Sequence, residues 1–245
     1  MFQPMYKNFH EYDFITYRGD VLSRIRIFTG HFGSGKTEIA INYAIYLAKQ
    51  GHKVAIVDID IVNPYFCTRD VKDILDSHGV RLIAADPNLS NAELMVVPAE
   101  VKAVFNDKSY EVVMDIGGDD QGAVVLGMYN NYFKEEPYDM YFVVNNNRPF
   151  TDNAVSAAEY MAAIERVSRL KVTHLISNTN MSYETTPADI IRGDSEMLKM
   201  SEITGLPYAY TVCAARMADE IEGKVHGDIF PIDIYMKTPW RTKGI

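Results

Sequence analysis

The octapeptide Gly30-His31-Phe32-Gly33-Ser34-Gly35-Lys36-Thr37 fits G-x-x-x-x-G-K-S/T without a gap and constrains the chain more than any other segment. Glycines let the backbone turn inward, so that successive N–H groups surround phosphate oxygens. The loop then opens a helix whose N-terminal amides and dipole favour an anion. Lys36 is expected to contact the β- and γ-phosphates as a point charge, and the Thr37 hydroxyl to ligate Mg²⁺. Gly30, Gly33, Ser34, Gly35, Lys36 and Thr37 therefore form the expected nucleotide-holding set. With glycine at about 7% usage, a chance match somewhere in such a chain is on the order of 1%. The context lowers it further, because SRIRIF before the loop reads as a strand and the stretch after it as a helix. A dinucleotide-binding G-x-G-x-x-G is absent, since Glu38 stands three residues after Gly35.

Short β-branched runs alternate with longer helical patterns, which predicts βαβ units. The expected fold is α/β, a doubly wound, mostly parallel sheet of about seven strands with helices on both faces. Strands are expected at 24–28, 54–57, 81–84, 111–114, 140–144, 172–177 and 208–212. Helices are expected at 36–50, 70–77, 98–106, 122–133, 152–167 and 187–203. Ile39, Tyr43 and Leu47 share one face of the first helix, and Gly51 sits where its C-terminal cap belongs. Residues 1–245 are expected to make a single nucleotide-binding domain, with 1–22 and 225–245 peripheral. Cys67 and Cys213 lack metal-ligand spacing and read as small buried or half-buried residues. No apolar leader and no run of 18 apolar residues is present, so a cytoplasmic protein without a membrane span is expected. The net charge of −9 argues against general affinity for nucleic acid or anionic lipid.

A phosphate loop alone hydrolyses nothing; it needs a carboxylate that organises magnesium and a group that places water. Val57-Asp58-Ile59-Asp60 ends the second strand, at the sheet edge where ligands sit. Residues 111–115 form an apolar strand ending in Asp115, and Gly118 follows at a spacing that permits close backbone approach to a γ-phosphate. Asp119 and Asp120 read as solvated loop acids or as further site carboxylates. Two more segments reach the same edge. In 61–70 (IVNPYFCTRD), Pro64 pushes Asn63 into an extended conformation. That segment, with Asn63 and Arg69 near its ends, reads either as a switch or substrate loop or as aromatics packed under a turn. Asn145-Asn146-Asn147-Arg148-Pro149 reads either as an acceptor site or as a polar turn before a helix.

A P-loop, an acid pair ending strand two and an acid after an apolar strand resemble the MinD/ParA-type and dethiobiotin/cobyrinic-acid-synthetase-like (SIMIBI) branch of P-loop nucleoside triphosphatases. The stretch 53–60, KVAIVDID, is similar to that branch's VLLVDAD, and the resemblance spans about 24–215. It implies ATP and Mg²⁺ as cofactors. It also implies that Asp60 orients the attacking water, that Asp115 is the magnesium-linked acid and that Asp58 supports the metal. Lys36, Asp60 and Asp115 are then the catalytic set, and Thr37, Asp58 and Asp115 the metal set. Asn178, ending THLISN, matches the asparagine that reads the adenine edge, with a turn-forming asparagine as the alternative. One position departs from the branch. Many members carry a lysine after the first loop glycine that reaches across a dimer, and this chain has His31 there. A dimer stays open, but not one sandwiched around ATP. The implied function is a Mg-dependent ATPase acting as a nucleotide switch or maturation factor on a protein partner. The alternative is an ATP-dependent ligase or synthetase that phosphorylates a small carboxylate substrate. A third reading, a non-catalytic nucleotide-binding module, is weakened by the set Lys36, Thr37, Asp60 and Asp115.

Overall fold

The structure is a computed structural model that describes residues 16–17, 20–21, 23–58, 71–84, 99–118 and 120–236. A short antiparallel pair, β1 (Thr16–Tyr17) and β2 (Asp20–Val21), precedes the main sheet. That sheet contains β3 (Ile25–Thr29), β4 (Lys53–Asp58), β5 (Arg81–Ala84), β6 (Tyr110–Asp115), β7 (Tyr138–Val144), β8 (His174–Ser177), β9 (Tyr208–Ala214) and β10 (Asp228–Ile232). All eight run parallel, in the order β10-β9-β8-β7-β3-β6-β4-β5. Strands such as β3 (IRIFT) and β7 are buried almost end to end, as a sheet covered on both faces requires.

The covering helices are α1 (Lys36–Lys49), α2 (Lys72–Ser77), α3 (Ala99–Asn106), α4 (Asp120–Met128), α5 (Asn130–Glu135), α6 (Ala154–Ser168) and α7 (Pro187–Thr204). Alternate strand residues feed opposite layers. Ala55 and Val57 of β4 join the layer built with α3 to α7, while Val54 and Ile56 join the layer built with α1 and α2. A short α8 (Ala218–Ile221) closes a third small cluster with Cys213 and Met217. No described helix is long and apolar enough to cross a membrane.

The sheet is the expected doubly wound parallel one of about seven strands; it has eight, because 228–232 adds β10 in register with β9. Pro231 obscured that strand, since proline is tolerated only where a strand lies at an edge or bulge. β10 is the edge strand. The single helix expected over 122–133 is instead α4 and α5, broken at Tyr129. Tyr129 is 1% exposed and packs on Phe105 with ring centroids 5.8 Å apart, so its burial turns the chain.

Candidate nucleotide site

β3 and β7 are neighbours, yet from β3 the chain winds one way through β4 and β5, and from β7 the other way to β10. Crevices form where winding reverses. The glycine-rich loop leaves β3 at this point, and residues 145–151 leave β7 beside it. Lys36, Thr37 and Ser34 are buried there. Gly35, whose φ is 86°, is the N-cap of α1 and supplies no side-chain cap. Its first-turn amides are thus available donors. Amides, an ammonium and hydroxyls converging on a helix N-terminus suit a polyphosphate.

The D-x-x-G glycine does approach another backbone closely. A Cβ on Gly118 would lie 1.6 Å from the Gly30 carbonyl oxygen, so the contact is with the first residue of the loop itself. The Tyr160 hydroxyl donates to the Gly118 carbonyl at 2.5 Å. Asp58 and Asp115 are register partners on β4 and β6, and both are buried. Asp115 also pairs with Phe28, one residue before the end of β3. Carboxylate and hydroxyl oxygens are the ligand type that suits Mg²⁺. Asp60, Asp119 and the segment 61–70 with Cys67 lie outside the described residues, and Asp120 begins α4.

Carboxamides hold the loop from behind. Asn178 Nδ2 donates to the Ser34 carbonyl at 2.7 Å. Asn145 Nδ2 donates to the carbonyls of Gly33 at 3.3 Å and Asn180 at 3.0 Å, while its Oδ1 accepts from the Asn147 and Asn180 amides. Asn146 bonds Thr151 and Thr179, so the polar-turn reading of 145–149 describes what Asn145 and Asn146 do. One hydrogen of the Asn178 amide nitrogen is engaged by the loop, and the side-chain oxygen remains an acceptor.

His31 is wedged between aromatic rings, 5.0 Å from Tyr160 edge-on and 5.8 Å from Phe150. Burial, together with the charges of Arg148 and Lys36, lowers its pKa below that of a free imidazole. The shift favours the uncharged ring.

A cavity of about 670 Å³ is lined by Gly33, Lys36, Thr37 and Asn178 together with Val212, Cys213, Met217, Ile232, Ile234 and Met236. The wall formed by 232–236 is a feature that sequence reasoning missed. Glu38, in the first turn of α1, accepts from the Tyr235 amide at 2.6 Å and the Met236 amide at 3.1 Å. Burial pushes its carboxyl up to about 7. One turn on, Asn42 pairs with the Asp233 backbone through both its amide nitrogen and its oxygen, each at 2.9 Å. The available signal was this polar pair, four residues apart, on an otherwise apolar helix. Burial also pushes the Cys213 thiol up to about 12.

Loop, switch-point crevice, paired carboxylates and cavity define a P-loop nucleotide-binding protein. A family model described as CobQ/CobB/MinD/ParA nucleotide binding domain matches residues 25–187, and the chain belongs to that family, in the SIMIBI branch. Among solved structures it is similar to the cell division protein FtsY of Thermotoga maritima, at 18% identity and a TM-score of 0.51. That match covers 76% of this chain and 60% of the other. It is also similar to chloroplast FtsY of Physcomitrella patens, at 16% identity and a TM-score of 0.52, over 78% of this chain and 58% of that one. The chain thus spans about six tenths of the FtsY chains it matches, and at these identities the likeness concerns the fold. No curated protein matches.

Proposed function

We propose that this nucleotide-binding domain is a Mg-dependent ATPase that works as a nucleotide switch or maturation factor. The cavity carries the reading: residues of the phosphate loop and a set of apolar side chains line the same space of about 670 Å³. That lining favours adenine over guanine. Guanine presents a ring N–H and an exocyclic amine that need an acceptor such as a carboxylate. Among the described residues lining the cavity the carboxylate is Glu38, and both its oxygens accept backbone amides. Adenine asks for apolar walls and one acceptor for its amine, a role that suits the Asn178 oxygen. A mismatched buried amide costs roughly 1–3 kcal/mol, so GTP should bind about tenfold or more weakly than ATP.

Bound magnesium would supply charge neutralisation to the triphosphate, with Thr37, Asp58 and Asp115 as its holders. Lys36 compensates the remaining phosphate charge. Asp60 orients the attacking water by the family resemblance. Asp60→Ala should therefore leave Mg·ATP binding intact while hydrolysis falls by about 10²-fold or more. Normal turnover by that variant, followed by phosphate release, refutes the assignment.

A further inference from the structure

Of the described residues that line the cavity, two carry permanent cations, Lys36 and Arg148. Lys36 belongs to the loop signature; Arg148 comes from the turn after β7 and is exposed. Its Nε donates to the Gly33 carbonyl at 3.2 Å, and among the described residues its two terminal nitrogens make no hydrogen bond. Gly33 makes room for it. A Cβ on Gly33 would stand 2.8 Å from Arg148 Nε and 3.1 Å from the guanidinium carbon, so any side chain there displaces the cation.

The turn that presents Arg148 is pinned on several sides. The Arg148 amide donates to the Asn145 carbonyl at 3.1 Å, and the Thr151 hydroxyl donates to the same carbonyl at 3.0 Å. Asn145 itself donates to the Gly33 carbonyl, the acceptor that Arg148 uses. Phe150, 69% exposed, holds φ at 67°, a region that bulky side chains rarely enter. Its ring lies against His31 of the loop. Such strained turns collect where a group must be held in one place. A brace for one carbonyl needs a single donor, whereas a guanidinium carries five in a fork that matches phosphate oxygens.

We propose that Arg148 is a phosphate-contacting arginine supplied by the chain itself, which lies against Gly33 with its free fork directed at the terminal phosphate of a bound triphosphate. The proposal rests on the nucleotide-site reading above. It supplies two cations to the terminal phosphate within one chain, because Lys36 and Arg148 approach from different loops. A preorganised cation aimed at developing charge is the arrangement that stabilises phosphoryl-transfer transition states.

Calorimetric titration of wild type, Arg148→Ala and Arg148→Lys with Mg·ADP and with a non-hydrolysable Mg·ATP analogue tests it. Arg148→Ala should weaken the triphosphate analogue at least tenfold more than ADP, and Arg148→Lys should recover part of that preference. An equal loss for both nucleotides would assign Arg148 to bracing the loop and overturn the proposal, as would no change for either. A wild type that binds neither nucleotide overturns the nucleotide reading itself, and the proposal with it.

Discussion

At the residue scale, each position of the loop has its own physical task. Lys36 is desolvated at the mouth of α1, where an ammonium gains most from an arriving phosphate. His31 makes a different case. A permanent cation at that position could neutralise a neighbouring copy's triphosphate, but this ring is packed between Phe150 and Tyr160 with its pKa lowered by burial, Arg148 and Lys36. Mg·ATP should therefore leave the sedimentation coefficient unchanged at pH 8; an ATP-dependent dimer at that pH would contradict this. Cys213 lines the same cavity with its thiol pushed up to about 12 by burial. Thiolate is the reacting form, so at pH 8 alkylation mapped to Cys213 should run at least about 10²-fold slower than for a free cysteine. A rate equal to that of a free thiol would show the cavity wall to be open. The loop was legible in the sequence because its chemistry is written in eight consecutive residues. Arg148 was legible only as one of two alternatives, since its role depends on Gly33 lying beside it 115 positions away.

At the scale of elements, α1 ties the phosphate loop to the C-terminal wall of the cavity. Its N-terminus follows the loop, while Glu38 and Asn42 hold 233–236 in place. Asn42→Ala removes two part-buried hydrogen bonds to the Asp233 backbone and should cost about 1–3 kcal/mol of stability. For a protein of this size that is a fall of several degrees in thermal midpoint, accompanied by weaker nucleotide binding. An unchanged midpoint would mean that the tail is held elsewhere. The central strands and α1 were readable from continuous apolar runs and helical spacing, because burial on both faces leaves that mark. β10 was not, because a proline-containing edge strand carries little periodic signal, and its placement comes from register with β9. The break at Tyr129 was equally silent, since it follows from packing against Phe105, an element away.

At the scale of the whole molecule, the winding reversal at β3 and β7 places two loops side by side and makes a crevice out of parts that are distant in sequence. The paired Asp58 and Asp115 follow from the same topology, which sets β4 next to β6 in register. The phosphate loop and the two acids then lie along one edge of one sheet. Calorimetry with Mg·ATP on wild type and Lys36→Ala tests this account most directly. The account predicts measurable Mg·ATP binding by the wild type, with GTP weaker, and a loss of at least tenfold in Lys36→Ala, about 1.4 kcal/mol. Equal affinity of wild type and Lys36→Ala for Mg·ATP would contradict it.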